Sequence, residues 1–359
     1  MKILQIIQSN QLRGAETFAN TLSKKLNDLG NQSTLISIFR KGKNKDLIPN
    51  VINLNRSIKY RFFDIYGWYL LHKEIKTHGY NVIQANAGDT LKFAVFSKML
   101  FRWKTPIIFR NASTVSLYIK SPFIKWFNKL LFKNVDHVVS VSEHSKKDFV
   151  NFFPEMEQKI NVIPIGIDLT KSIDYLKRSR NVIIHVGGFT FEKNHKGLLN
   201  VYESLKKNNS DLELWLVGDG PLRSEIENIV KEKNIKDVIF FGYQTDVEYY
   251  MQQASVLVLP SIIEGLPAVI LEAMYCKTPV VAYNVGGIGD LVVNNQTGWL
   301  IEKNNEEAFV EAVQYILTNN VNMIIQQAFD LVSRGYDNKM IAGRFEKLYK
   351  EVLVRGNSK

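Results

Sequence analysis

Glu264 and Glu272 stand eight residues apart in the segment SIIEGLPAVILEAMYCKTPVV. Eight residues is a little over two helical turns, so two helical carboxylates at that spacing face roughly the same way. The segment reads instead with Glu264 in the loop before a helix and Glu272 inside it. A loop carboxylate near a helix start accepts charge-assisted hydrogen bonds from the hydroxyls of a sugar. The same two acids also fit a plainer account, in which Glu264 complements a helix dipole and Glu272 is a solvated helix residue. A second candidate, GDGPLR (218–223), lacks the third glycine of a dinucleotide fingerprint and reads as a strand-end turn with a helix starting at Pro221. No D-x-D triplet occurs in the chain. No His/Cys cluster has metal-ligand spacing either, so no metal is expected.

Short apolar runs position these residues. In the first half they are ILQIIQS near the start, STLISIF (33–39), YNVIQAN (80–86), TPIIFR (105–110), DHVVSVS (136–142) and INVIPIG (160–166). Between most of them lie helical patterns, such as AETFANTLSKKLNDLG, whose Phe18, Leu22, Leu26 and Leu29 recur at helical spacing before Gly30. The second half repeats this grammar in NVIIHVGG (181–188), LELWLVGDG (212–220), DVIFFG (237–242), ASVLVLPS (254–261), TPVVAYNVGG (278–287) and GWLIE (298–302). Alternating strands and helices of this kind make parallel sheets. The expectation is an α/β chain of two doubly wound, Rossmann-like domains. The first spans 1–165, a polar linker 166–180, and the second 181–359, with the last helix packing back on the first domain. Ligands of doubly wound sheets bind outside the carboxyl ends of the strands. The Gly- and Pro-rich strand ends of the second half are therefore the place for a site.

The 359 residues suit two domains at about 100 to 200 residues each. With 45% apolar and 23% charged residues the composition excludes disordered and collagen-like chains. The single cysteine, Cys276, excludes an internal disulfide framework. Met1–Asn10 has too short an apolar run for a signal peptide, and no stretch approaches the roughly 20 apolar residues of a membrane span, so the chain is expected to stay in the cytoplasm. The net charge of +11 is unevenly divided: residues 1–165 carry 25 Lys and Arg against 11 Asp and Glu, the rest 21 against 24. A basic half suggests an anionic partner surface, although a general Lys bias would give the same count. Within it, SPFIKWFNKLLFKNV (121–135) sets Lys125, Lys129 and Lys133 four residues apart among Phe123, Trp126, Phe127, Leu130 and Leu131. Such a helix lies in a membrane interface or packs Trp126 and Phe127 into its own core. No groove-entering helix or aromatic platform points to nucleic acid.

The run EGLPAVILE, with ASVLVLPS before it and TPVVAYNVGGIGDLVVNNQTGWL after it, resembles the E-x7-E region of glycosyltransferase family 4, retaining enzymes of the two-domain GT-B fold. The resemblance continues through LWLVGDGPLRSEIE (214–227), HVGGFTFEKNHKGLL (185–199), VIPIGID (162–168) and QLRGAETFANTLSKKLNDLG. It implies two domains facing across a cleft and a nucleoside diphosphate sugar, by default a UDP-sugar, held without further cofactor on the second domain. Glu272 would bind the ribose hydroxyls and Glu264 those of the transferred sugar. Lys193 would pair with the diphosphate, aided by amides around Gly265, Leu266 and Val269 and by the Gly14 loop with Arg13. Base selectivity would come from Phe241–Gln244, including Tyr243. The acceptor would be a glycan, free or on a polyprenyl diphosphate at the inner membrane face.

Three positions depart from the family pattern. Gly188 stands where an arginine is usual, and Lys196, His195 or Arg13 would have to supply that cation. Arg110 and Asn111 replace a histidine after TPIIFR, leaving Asn111 as the candidate catalytic group there. Gln84 and Asn86 replace a common histidine pair. The mechanism implied by the family tolerates such losses, because the leaving diphosphate takes the acceptor's proton and the protein's work is positioning and charge stabilisation. A nucleotide-sugar epimerase of the same fold, or an inactive sugar-binding relative, would share the donor contacts.

Overall fold

The computed structural model describes residues 1–11, 14–40, 48–169 and 181–357. Two compact units emerge, Met1–Ile165 with Asn338–Lys359, and Gly166–Asp337.

The first unit runs β1 (Lys2–Ser9), α1 (Gly14–Asp28), β2 (Gln32–Phe39), β3 (Val51–Arg56), α2 (Ile65–His78), β4 (Val82–Ala85), α3 (Gly88–Phe101), β5 (Ile107–Asn111), α4 (Pro122–Phe132), β6 (His137–Ser140), α5 (Glu143–Phe152) and β7 (Ile160–Val162). All strand pairs are parallel in the order β3-β2-β1-β4-β5-β6-β7. Buried on both faces, the inner strands read as unbroken apolar runs. β3 was absent from the sequence expectation. As the edge strand it pairs only with β2, and its VINLNR alternates half-exposed apolar and polar residues.

The second unit runs β8 (Val182–Val186), α6 (His195–Lys206), β9 (Glu213–Val217), α7 (Arg223–Glu232), β10 (Val238–Gly242), α8 (Val247–Gln253), β11 (Val256–Leu259), α9 (Ala268–Tyr275), β12 (Val280–Tyr283), β13 (Trp299–Ile301), α10 (Glu306–Thr318) and α11 (Asn322–Gly335). Its parallel order is β10-β9-β8-β11-β12-β13. Pro221 does not open a helix: it lies in a turn, and α7 begins at Arg223 after Leu222.

The chain then returns to the first unit as α12 (Asn338–Asn357). There Ile341, Phe345, Leu348 and Tyr349 join Ile3, Leu22 and Ile108 in one buried cluster. A closed ring of hydrogen bonds fixes α12 to the sheet. Tyr349 donates to Gln84 Oε1 (2.6 Å), Gln84 to Asn86 Oδ1 (2.9 Å), Asn86 to Gln5 Oε1 (2.9 Å), and Gln5 back to the Tyr349 hydroxyl (3.2 Å). Every member is buried, so each side chain satisfies the next where water is excluded. Of the expected linker 166–180, residues 170–180 lie outside the described residues. Its first part is anchored in the second unit, with Ile167 N–H donating to Tyr336 O (2.8 Å) and Leu169 O accepting from the Tyr275 hydroxyl (2.5 Å).

Candidate functional site

In the second sheet the chain turns one way from β8 toward β9 and the other way from β11 toward β12, so the switch point lies between β8 and β11. The residues that follow those two strands meet there. After β8, Gly187 and Gly188 lead into a short 3-10 turn, Phe191–Lys193, closed by Asn194 in the left-handed region (φ 53). The Asn194 side chain caps α6 by accepting from Gly197 N–H (3.2 Å) and donates to Pro260 O beyond β11 (3.1 Å). Ile262 N–H donates to Glu192 O (2.8 Å), a second tie between the two loops.

Across this junction Lys193 Nζ meets Glu264 Oε1 at 2.6 Å, with side-chain exposures of 20% and 10%. Glu264 lies in the loop before α9, and Glu272 is the fifth residue of that helix. Leu266 and Val269 are buried, and Gly265 O accepts from Gly287 N–H (2.7 Å). Pro267 is the N-cap and supplies no side-chain cap, and Ile270 N–H already donates to Pro267 O (3.3 Å), which leaves the amides of Ala268 and Val269 for an anion.

The loop after β12 sets the height of Glu264. Gly286 adopts φ 57, and a Cβ there would lie 1.9 Å from the Glu264 carbonyl oxygen. Only glycine meets both conditions. Sequence reasoning quoted NVGG without assigning it a task, because the carbonyl it must clear belongs to another loop.

Beneath Lys193 lies a neutral imidazole pair. His185 donates through Nδ1 to Val258 O (2.9 Å), and its ring meets His195 edge to face at 4.7 Å. His195 stacks on Phe189 at 4.1 Å. Burial, and then Lys193, pushes His195 down to about 4, while burial holds His185 well below its ordinary value. His195 therefore carries no charge near neutrality and does not replace the cation missing at Gly188. Lys196 is exposed and pairs with Glu225 at 2.5 Å, and Arg13 lies outside the described residues.

Gly188 itself has room: a Cβ would find Asp219 O at 3.5 Å, an ordinary contact. Tyr243 is exposed immediately after β10, beside Gln244, which donates to Phe241 O (2.9 Å).

The other candidates belong to the first unit. Gly14 opens α1, with open space where a Cβ would stand. Asn111 ends β5, buried, with Nδ2 directed at Ser140 Oγ (3.3 Å) and Ser145 O (3.4 Å). Gln84 and Asn86 are consumed by the ring that holds Tyr349. In α4 the two sequence alternatives divide by residue: Phe127 packs toward Phe96 (6.1 Å), but Trp126 is 56% and Phe123 71% exposed. A set that the sequence did not flag, Tyr60, Phe62, Phe63 and Tyr66, is also exposed, ahead of and within α2. Among the described residues no group of three His, Cys, Asp or Glu is placed to hold a metal, and no helix is long and apolar enough to cross a membrane.

Two Rossmann-like sheets with polar groups gathered at a strand-order switch define a class of α/β proteins that take ligands at that switch, and comparison with known proteins narrows it. The family profile described as Glycosyltransferase Family 4 matches residues 12–171, and that described as Glycosyl transferases group 1 matches 170–331. The chain is 30% identical over 197 residues to an uncharacterized glycosyltransferase of Methanocaldococcus jannaschii, covering 54% of this chain and 53% of that one. It thus spans about half the length of that curated relative. A Campylobacter jejuni protein named GalNAc-alpha-(1->4)-GalNAc-alpha-(1->3)-diNAcBac-PP-undecaprenol alpha-1,4-N-acetyl-D-galactosaminyltransferase is 26% identical over 335 residues, 89% of each chain. Among solved structures, Anabaena Alr3699/HepE in complex with UDP-glucose superposes with a TM-score of 0.83 at 19% identity, covering 98% of this chain and 100% of that one. The chain belongs to glycosyltransferase family 4 and has the GT-B fold.

Proposed function

We propose that the chain is a retaining, metal-independent hexosyltransferase that moves a sugar from a nucleoside diphosphate donor, a UDP-sugar first, to a lipid-linked glycan in surface polysaccharide assembly. The observation that carries this reading is the Lys193–Glu264 pair at the switch point of the second sheet. An ammonium suits diphosphate charge and a carboxylate suits sugar hydroxyls. The donor exchanges this internal pair for two external ones: the diphosphate takes Lys193 and the first-turn amides of α9, and the sugar takes Glu264. Glu272 takes the ribose hydroxyls, and Tyr243 flanks the base.

In the transfer the bond from the anomeric carbon to the diphosphate breaks, and the acceptor oxygen bonds to that carbon on the same face. Its proton passes to the departing diphosphate. No side chain need act as base, which suits an Asn111 whose amide is already engaged. Charge on the leaving group is met by Lys193 and the helix amides, in the place a metal would otherwise take.

The acceptor class is supported by the undecaprenol-linked substrate in the name of the Campylobacter relative. UDP is supported by the Anabaena complex. A peripheral position on the cytoplasmic membrane face is supported by the exposed Phe123 and Trp126 beside Lys125 and Lys129, and by the aromatic set ahead of α2. Each basic residue near an anionic leaflet contributes about 1 kcal/mol.

A thermal-shift panel of UDP, GDP and their sugars in EDTA tests the donor, since a ligand at 100 times its dissociation constant stabilises by about 2.7 kcal/mol. Proton NMR of the product tests retention through the anomeric coupling, and an inverted anomer rejects it. Flotation with anionic vesicles at low salt tests the membrane: protein left in the soluble fraction rejects that part alone.

A further inference from the structure

Arg110, the penultimate residue of β5, is only 3% exposed. Its Nε and Nη1 are sealed from solvent with no hydrogen-bond partner among the described residues. Its guanidinium carbon lies 3.8 Å from the centre of the Phe18 ring. Burial alone acts on its charge, drawing its pKa down to about 9. No carboxylate among the described residues is close enough to offset it.

An arginine keeps its proton in nearly every protein setting, so this is a buried cation with its Nε and Nη1 donors unmatched. The face of Phe18 offsets part of the cost through its quadrupole but accepts none of the N–H groups. A native fold keeps such a group where something else completes it. Its position says what. β5 lies beside β4, next to the switch in strand order between β1 and β4, at the carboxyl edge where doubly wound sheets take their ligands. Phe18 stands in the second turn of α1, so the positive end of that helix lies on the same side. The buried Glu16 carboxylate stands in that helix's first turn but makes no hydrogen bond to Nε or Nη1 of Arg110, so those two donors remain open to an anion.

We propose that Arg110 is the anion-recognition residue of the first unit, binding an oxyanion, phosphate or carboxylate, on the molecule this unit takes. The planar guanidinium fork matches both groups. The site stands on the first unit alone; only its assignment to the acceptor rests on the glycosyltransferase reading above. The acceptor is then anionic at the group it presents to β5.

Melting temperatures in phosphate-free buffer test this with inorganic pyrophosphate and glucuronate, in a Lys193→Met background that removes the cation of the second unit. One of the two anions is expected to raise the melting temperature by about 5 °C near 100 times its dissociation constant. Adding Arg110→Met abolishes that shift, and Arg110→Lys, which keeps the charge without the fork, weakens it. A response to pyrophosphate assigns a phosphate, and a response to glucuronate a carboxylate. Arg110→Met alone is expected to melt no lower than the parent, because it removes a charge that has no partner. The proposal is overturned by the absence of either shift in the Lys193→Met background, by a shift that survives Arg110→Met, or by an Arg110→Met protein that unfolds or melts well below the parent. UDP added with Lys193 intact reads the second unit separately. Its shift should survive Arg110→Met, so a failed anion site and a failed donor site are told apart.

Discussion

The two sheets share a topology and treat the strands at their switch points differently. Between β1 and β4, Gln5, Gln84 and Asn86 are neutral, buried and closed on one another through Tyr349. Past β8 and β11, Lys193 and Glu264 are charged, partly exposed and paired with each other. A sealed neutral ring has nothing to gain by opening, since each amide would lose a bond that water cannot replace. A charged pair that solvent still reaches, at 20% and 10% exposure, can exchange each partner for an oppositely charged or hydroxyl group of a ligand. Polarity at a strand end therefore does not mark a site. The residual freedom of the polar groups does.

The contrast is broken most directly at Lys193. Lys193→Met is expected to lower kcat/KM by about 10²- to 10³-fold, the loss typical of one preorganised donor to a developing anion. Because Glu264 is only 10% exposed and would be left unpaired, Glu264→Gln is added to remove its charge, and the double variant should melt within about 3 °C of the parent. Steady-state rates with a UDP-sugar, set beside a thermal melt, check both. A double variant that loses stability and activity together would make the pair a structural lock like the ring.

The next effect concerns acid. The unfolded chain protonates His195 near 6.5, whereas the folded chain does so only at about 4. Stability fully present above pH 6.5 is therefore lost as pH falls from 6.5 toward 4, because the unfolded state binds the extra proton. The loss is at most about 3 kcal/mol for this residue, and His185, also buried neutral, acts in the same direction. Urea melts at about pH 7.5 and about pH 5 bracket that window and measure it. His195→Leu should flatten the difference, and an unchanged difference would mean that the imidazole is not buried neutral beneath Lys193.

Smaller in energy is the ring. Tyr349→Phe strands the buried amides it served and should cost about 1 to 3 kcal/mol of unfolding free energy, with kcat/KM per folded molecule unchanged. Denaturant melts and rates at a temperature where both proteins are folded separate the two. None of this was legible in the sequence, where Tyr349 lies 344 residues from Gln5 and Gln84 with Asn86 read only as missing histidines. The strands were legible where burial on both faces forces an unbroken apolar run, and β3 was not, because an edge strand escapes that requirement. Lys193 and Glu264 were named through family resemblance, but 71 residues separate them and their contact is a product of topology. Gly286 was given no task and Arg110 was read only as standing in a histidine's place, because the need of one and the burial of the other are set by segments distant in the chain. His195 stood as one of three open alternatives for the missing cation, because a sequence shows an imidazole and not the stacking on Phe189 that takes it out of water.

The smallest expected effect sharpens the comparison by adding to the site. Gly188 occupies the position of a family arginine, yet neither its backbone nor its surroundings demand glycine: no left-handed φ is recorded, and the nearest atom to an added Cβ would be a carbonyl oxygen at 3.5 Å. A side chain leaving this point starts one residue past Gly187, over which the Lys193 stem already lies, with Cε 3.3 Å from the Cβ position. Gly188→Arg should place a second cation beside the first and tighten UDP by about tenfold, or ~1.4 kcal/mol, without disturbing the fold. Titration calorimetry with UDP and with uridine separates the cause. A gain confined to UDP assigns it to the diphosphate, whereas an equal gain for uridine would mean that the new side chain contacts the base and that Lys193 does not mark the phosphate end of the site.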